Sequence, residues 1–158
     1  GTTFVIKIPF KIDQDADRRE EQETISEKSI KDLKILLVED NELNMEIAEF
    51  LLEDEGAVLT KAWNGQEAVD IFKNSPDGTF DVILMDIMMP VMDGLTATRT
   101  IRGLMREEAE RIPIIAMTAN AFEEDRKRSM EAGMNGHVAK PLDMQEILKT
   151  IVDCIQHK

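Results

Sequence analysis

Three continuous apolar runs constrain the fold of this 158-residue chain more than any other feature. They occupy Ile35–Val38, Val82–Met85 and Ile114–Met117, and a polar residue follows each of them directly. Runs of this length without polar alternation are typical of strands covered on both faces, as in a parallel sheet flanked by helices. The sequence therefore predicts an α/β architecture built around buried parallel strands.

Two weaker strand signals and five helical segments complete the pattern. Residues 57–62 alternate in polarity and predict an edge strand, and Val138–Ala139 predicts a short fifth strand. The predicted helices span residues 43–55, 65–73, 94–106, 122–132 and 143–156. Because strands and helices alternate, right-handed crossovers follow, and we expect a three-layer sandwich with a five-stranded parallel sheet and five helices.

The helical periodicity also predicts which side chains are buried. In the first helix the expected buried face consists of Leu43, Ile47, Ala48, Leu51 and Leu52. In the third helix the expected buried stripe ends with Leu104 and Met105. The segment 122–132 carries few apolar residues, so we expect that helix to be poorly buried.

Polar side chains stand where the predicted strands end. Glu39 and Asp40 follow the first strand, Asp86 the third, Thr118 the fourth and Lys140 the fifth. The carboxyl ends of parallel strands share one edge of the sheet, which is where ligands bind in such folds. Carboxylates crowded together favour a divalent cation with oxygen ligands, such as Mg²⁺. With a hydroxyl and an ammonium group beside them, they predict a phosphoryl-transfer site with a carboxylate nucleophile.

Charge and composition make several functions less probable. The net charge of −13 disfavours direct binding to nucleic acid or to a membrane surface. Cys154 is the only cysteine, so an intramolecular disulfide is excluded and a reducing, cytoplasmic location is expected. The sequence shows neither a signal peptide nor an apolar stretch near the length of a membrane span. These observations are compatible with a parent protein that is anchored in a membrane through upstream segments.

Four motifs resemble the receiver domain of two-component response regulators, in the same order and spacing. They are residues 35–41 (ILLVEDN), 82–94 (VILMDIMMPVMDG), 116–120 (AMTAN) and 136–141 (GHVAKP). The resemblance extends from residue 33 to about residue 157. It implies a flavodoxin-like sheet with strand order 2-1-3-4-5.

The resemblance also implies a role for each residue of the site. Asp86 is expected to accept a phosphoryl group from a phosphohistidine. Asp40 and Asp86 are expected to bind Mg²⁺ with the backbone carbonyl of Met88, while Glu39 assists through a water molecule. Glu39 stands where an aspartate is commoner in the family, so its side chain is one methylene longer and its metal contact is expected to shift.

Further residues are implied in phosphoryl binding and switching. Thr118 and Lys140 are expected to contact the phosphoryl oxygens, with Lys140 followed by a cis peptide bond to Pro141. Thr118 and His137 are the expected switch pair, although His137 replaces the usual Tyr or Phe and can titrate near neutral pH. Phosphorylation would then rework the face formed by the fourth predicted helix, the fifth strand and the fifth predicted helix.

The first part of the chain resembles a different domain. Residues 1–10 are similar to the last strand of a histidine-kinase ATP-binding domain, and residues 11–32 form a charged linker to a receiver domain at residues 33–158. The expected parent is thus a hybrid histidine kinase whose catalytic core lies outside this chain. The chain itself is expected to catalyse its own phosphorylation and dephosphorylation.

Partners and alternatives follow from the same resemblance. The expected partner is a histidine kinase core or a histidine phosphotransfer domain, and the chain is expected to be a monomer or a weak dimer. One alternative is a degenerate receiver that only binds proteins, and another is the receiver of a standalone response regulator. A third is an aspartate-nucleophile phosphatase or dehalogenase, which would require a second Asp where Met88 stands.

Overall fold

The computed structural model describes residues 30–119 and 123–156, which form five strands and six helices. The strands are β1 (Lys34–Val38), β2 (Val58–Ala62), β3 (Val82–Asp86), β4 (Ile114–Thr118) and β5 (Gly136–Ala139). The helices are α1 (Glu42–Asp54), α2 (Gly65–Asn74), α3 (Gly94–Arg102), α4 (Glu107–Arg111), α5 (Glu123–Ala132) and α6 (Met144–Gln156). The strand predicted at residues 1–10 and the linker up to residue 29 lie outside the described residues.

The strands form one parallel sheet in the order β2-β1-β3-β4-β5. This arrangement confirms the predicted flavodoxin-like order. Every residue of β3 and β4 is buried, whereas most of β2 is exposed at the edge of the sheet. The continuous apolar runs are explained by this burial, because central strands need apolar side chains on both faces.

The two faces of the sheet carry separate hydrophobic cores. Leu36 and Val38 of β1 point to the side covered by α2 and α3, where Phe72 and Ile101 are buried. Ile35 and Leu37, their neighbours along the strand, lie in the core on the side of α1 and α6. The alternation of side chains along one strand thus supplies both cores, as expected for a three-layer sandwich.

Short polar side chains start three of the helices. Asn41, Asn64 and Asp93 each accept a hydrogen bond from a backbone N–H of the first turn, in α1, α2 and α3 respectively. Since Asn41 caps α1, the carboxylate of the preceding Asp40 is not required for that purpose. None of the described helices is long and apolar enough to cross a membrane.

The helix predicted over residues 94–106 is shorter, and a sixth helix follows it. Helix α3 ends at Arg102, and Gly103 donates its N–H back to Arg99. The chain then becomes extended at Arg106, whose guanidinium binds Asp77, Glu108 and the Phe72 carbonyl. These tertiary contacts remove residues 103–106 from the helix, so the prediction that Met105 is buried was wrong.

The buried face of α1 also differs from the prediction. Met45, Ala48 and Leu52 are buried, whereas Leu43 and Ile47 are exposed. Phe50 on the same helix is 71% exposed. Apolar residues stand on two faces of this helix, and periodicity alone does not say which face meets the sheet.

Two residues assigned to the linker, Ile30 and Asp32, contact the domain. Ile30 is 1% exposed and belongs to the core on the α1 side of the sheet. Asp32 donates its backbone N–H to the Gly56 carbonyl at 2.8 Å, which ties this segment to the turn between α1 and β2. The packed region therefore begins no later than Ile30.

Candidate functional site

Because the strands are parallel, the carboxyl ends of β1, β3, β4 and β5 lie along one edge of the sheet. Val38 pairs with Met85, Asp86 with Met117, and Thr118 with Ala139. Glu39, Asp86, Thr118 and Lys140 therefore stand at neighbouring positions along this edge, as the sequence predicted.

Three carboxylates converge at this edge. Oxygen atoms of Glu39, Asp40 and Asp86 all lie within 4.8 Å of one another. Glu39 is 2% exposed and Asp86 4% exposed, whereas Asp40 is open to solvent. This all-oxygen donor set, with one exposed member and room for water, fits a hard divalent cation such as Mg²⁺.

Lys140 supplies the positive charge of the site. Its Nζ donates to Glu39 Oε2 at 2.8 Å and lies 3.2 Å from Asp86 Oδ2. Its backbone N–H donates to the Thr118 carbonyl at 2.8 Å, and its peptide bond to Pro141 is cis, as predicted. The ammonium group thus bridges two buried carboxylates that would otherwise repel each other.

The pKa values of these groups differ because their neighbours differ. Burial and then the negative charge of Glu39 raise the pKa of Asp86 to about 7, despite the opposing charge of Lys140. Burial alone would raise the pKa of Glu39, but the hydrogen bond from Lys140 and the N–H of Asn41 bring it below its ordinary value. Glu39 is therefore ionised at neutral pH, and the nucleophile candidate Asp86 holds its proton part of the time.

A tight loop follows Asp86 and leads into α3. The Gly94 N–H donates to the Ile87 carbonyl at 2.9 Å, and a side chain at position 94 would overlap the Asp86 carbonyl. The side chain of Met88 in this loop is largely exposed. The metal contact that the resemblance implies for Met88 involves its backbone carbonyl and does not depend on this side chain.

The predicted switch residues occupy different environments. Thr118 is buried at the end of β4, and Ala119 after it is exposed. His137 is half-buried on β5, where burial and then the charge of Arg126 lower its pKa against the opposing influence of Glu146. The neutral imidazole is therefore favoured at neutral pH. The neighbouring residues 120–122 lie outside the described part of the chain.

Sequence reasoning missed a small cavity beside the carboxylates. It has a volume of about 60 Å³ and lies between the start of α1 and the loop after β5. Its lining consists of Glu39, Asn44, Ile47, Lys140, Pro141 and Leu142. The cis Lys140–Pro141 bond and the exposed Ile47 are neighbours in space but 93 or more positions apart in sequence, so no local pattern indicated this cavity.

A sequence profile gives an independent view of the family. The profile of the response regulator receiver domain matches residues 35–152, which span β1 to most of α6. Apart from Lys34 at the start of β1, the five strands of the described residues lie within this match, as do the carboxylates of the site. The profile therefore covers the domain that carries the site.

Curated relatives include histidine kinases of eukaryotes. The chain is 38% identical over 120 residues to hybrid signal transduction histidine kinase I of Dictyostelium discoideum, covering 75% of this chain and 7% of that protein. It is 35% identical over 152 residues to probable histidine kinase 1 of Oryza sativa subsp. indica, covering 78% of this chain and 15% of that protein. The chain thus spans a small part of each of these relatives.

Solved structures of similar fold include a metal-bound receiver. The receiver domain of a sensor histidine kinase from Pseudomonas aeruginosa PAO1, with a magnesium ion in its active site cleft, is 40% identical with a TM-score of 0.70. That match covers 78% of this chain and 98% of the other. A Vibrio cholerae chemotaxis protein is 28% identical with a TM-score of 0.69, covering 77% of this chain and 98% of the other.

The sheet order, the residues at the strand ends and the profile match all indicate the same protein family. The two relatives named above are histidine kinases, and one structural neighbour is a histidine-kinase receiver domain. The chain belongs to the response regulator receiver domain family of two-component and phosphorelay signalling.

Proposed function

We propose that this receiver accepts a phosphoryl group on Asp86 from a phosphohistidine, with Mg²⁺ as the cofactor. The observation that carries the proposal is the position of the Asp86 carboxylate. It is buried at the sheet edge, within 4.8 Å of the oxygens of Glu39 and Asp40 and 3.2 Å from the ammonium of Lys140. A carboxylate in such a setting can act as a nucleophile toward phosphorus.

The reaction exchanges one bond to phosphorus for another. Ionised Asp86 attacks the phosphorus atom, an O–P bond forms, the P–N bond of the phosphohistidine breaks, and the departing imidazole recovers its nitrogen lone pair. Lys140 stabilises the negative charge on the phosphoryl oxygens, and the Thr118 hydroxyl donates a hydrogen bond to one of them. The product is an acyl phosphate on Asp86.

Four groups of this chain would hold Mg²⁺. They are the carboxylates of Asp40, Asp86 and Glu39, the last through water, and the backbone carbonyl of Met88. Mg²⁺ supplies charge neutralisation on the phosphoryl oxygens when bound. Lys140 lies closer to Glu39, at 2.8 Å, than to Asp86, at 3.2 Å, so Asp40 and Asp86 are the carboxylates proposed to bind the metal directly.

Phosphorylation is proposed to act on the face of α5, β5 and α6. Thr118 would move toward the phosphoryl group, and His137 would follow into the space it leaves. Helix α5 has only Ser129 and Ala132 buried, so its displacement breaks few packing contacts. The switch is therefore a shift in population between two arrangements of this face.

The parent protein is proposed to be a hybrid histidine kinase in the cytoplasm. Similarity to histidine kinases of Dictyostelium and rice supports this origin, as does the resemblance of residues 1–10 to the end of a kinase ATP-binding domain. The donor would be the kinase core or a histidine phosphotransfer domain. Exposed Leu43, Ile47 and Phe50, on the helix that begins directly after the acidic residues, offer such a donor an apolar contact surface.

Intact mass spectrometry tests this proposal. Incubation with acetyl phosphate should add the mass of one phosphoryl group when Mg²⁺ is present and none when EDTA replaces it. The Asp86→Asn variant should remain unmodified in both conditions. An adduct that forms equally well without Mg²⁺, or that persists in Asp86→Asn, would contradict the proposal, and no adduct in any condition would favour a receiver that only binds proteins.

A further inference from the structure

The first residue of α2 lies directly against the loop that follows Asp86. The Gly65 N–H donates to the Met92 carbonyl at 3.1 Å. A Cβ built on Gly65 would lie 2.5 Å from the Met92 carbonyl oxygen and 3.0 Å from that of Asp93. Any side chain at position 65 would therefore push against the backbone of the loop, which cannot yield as a flexible side chain does.

This loop holds a strained conformation. Val91 has a φ of 70°, in the left-handed region that β-branched residues rarely adopt. Strain of this kind persists only where surrounding contacts over-determine the backbone, and it occurs preferentially at functional sites. At Met92 that surrounding contact comes from Gly65, and the hydrogen bond from the Gly94 N–H to the Ile87 carbonyl joins the two ends of the loop.

The loop also connects the phosphoryl acceptor to the metal site. It begins after Asp86 and contains Met88, whose backbone carbonyl is the ligand proposed above. Because β3 is fully buried and fixed by pairing on both sides, a shift of Met92 away from α2 would move the few residues that lie between Met92 and Asp86. The contact at Gly65 is therefore placed to set the position of the Met88 carbonyl.

We infer that Gly65 is a positioning residue for the metal site. By allowing α2 to abut the Met92 backbone, it holds the loop of residues 87–93 in its strained arrangement and so fixes the position of Met88, whose carbonyl is the proposed metal ligand. The inference rests on the proposed function, because it takes Mg²⁺ to be the ligand at these residues.

Amide chemical-shift titration with Mg²⁺ tests the inference on the Gly65→Ala variant. Loss of a residue that orients a metal ligand typically weakens metal affinity by about 10–100-fold, and we expect the dissociation constant to rise by about tenfold or more. The amides of residues 87–93 should also shift in the metal-free variant. Both readouts are independent of phosphorylation.

Gly133→Ala is the matched control. Gly133 has a φ of 107°, and a Cβ there would meet the Arg102 side chain at 3.0 Å, so the same added methyl group should also lower stability. It stands before β5, at the opposite edge of the sheet from Asp86. Its Mg²⁺ dissociation constant should stay within about twofold of the wild-type value.

The outcomes distinguish a failure of the positioning role of Gly65 from a failure of the proposed metal site. If the wild-type chain binds Mg²⁺ and Gly65→Ala binds it within twofold as tightly, the positioning role is overturned and the proposed function stands. If the wild-type chain shows no saturable Mg²⁺ binding, the proposed metal site fails and the inference fails with it. Should Gly65→Ala not fold, Gly65→Ala/Val91→Gly is compared with Val91→Gly alone, since glycine relieves the strain at position 91; equal affinities would again overturn the inference.

Discussion

At the scale of single residues, the chemistry of Asp86 is set by its neighbours. Burial and the charge of Glu39 raise its pKa to about 7, while Lys140 limits the increase. The same Lys140 binds Glu39 at 2.8 Å and keeps that carboxylate ionised. Glu39 thus serves as a fixed negative charge. Asp86 becomes fully ionised only when a bound cation or a higher pH removes its proton.

Binding of Mg²⁺ should therefore depend on pH around neutrality. The metal requires ionised Asp86, which carries its proton below a pKa of about 7. Lowering the pH from about 8 to about 6 should weaken Mg²⁺ binding by about tenfold, as measured by amide chemical-shift titration. A dissociation constant that is constant over this range would contradict the raised pKa.

Replacing Asp86 by Asn should stabilise the metal-free protein at alkaline pH. The folded-state pKa of about 7 lies above the ordinary value of 3.8, so between these pH values the folded state holds a proton that the unfolded state has lost. The unfolding free energy of the wild-type chain therefore falls as pH rises through this window. Urea denaturation in EDTA should show Asp86→Asn more stable by on the order of 1–3 kcal/mol at pH 8. Near pH 4 the difference should be small, and a less stable variant at pH 8 would contradict the account.

At the scale of elements, strand boundaries could be predicted where the whole strand is buried. Strands β3 and β4 were predicted to within one residue, because their complete burial leaves a continuous apolar run in the sequence. The break between α3 and α4 was not predicted, because it depends on contacts that Arg106 makes with Asp77 and Phe72, about 30 positions earlier in the chain. The buried face of α1 was misassigned because apolar residues occupy two of its faces.

Arg102 links the end of α3 to the turn before β5. Its guanidinium donates to the Gly133 carbonyl, the Ala109 carbonyl and Asn135 Oδ1. The Arg102→Met variant should be less stable by about 2–3 kcal/mol, because it removes the donor to the partly buried Gly133 and Ala109 carbonyls.

Urea denaturation measures this effect, and Arg99→Met is the control. Arg99 lies on the exposed face of the same helix, so its replacement should change the unfolding free energy by less than about 0.5 kcal/mol. Equal stabilities of the two variants would show that the contacts of Arg102 do not hold α3 to this turn.

At the scale of the whole molecule, the parallel topology explains why the site was predictable. Residues that end β1, β3, β4 and β5 must meet at one edge, so Glu39, Asp86, Thr118 and Lys140 could be grouped without coordinates. The detailed pairing of these residues could not be predicted, because no local sequence pattern indicates that Lys140 contacts Glu39 more closely than Asp86.

Contacts between segments far apart in the chain could likewise not be predicted from the sequence. The approach of Gly65 to Met92 joins the start of α2 to a loop 27 positions later, and the burial of Ile30 depends on a core assembled from both ends of the domain. Such contacts follow from how the layers close on each other, which no periodicity records. The α/β layers were therefore predictable from local patterns and the strand order from the resemblance to receiver domains, whereas the contacts that support the site were not predictable.

Locating the phosphoryl group by residue tests the central claim most directly. Borohydride reduces an acyl phosphate of aspartate to homoserine, so the phosphorylated chain can be reduced, digested and sequenced by mass spectrometry. Homoserine at position 86, formed only after incubation with acetyl phosphate and Mg²⁺, is the result that we predict. Homoserine at Asp40 or another carboxylate, with Asp86 unchanged, would contradict the account.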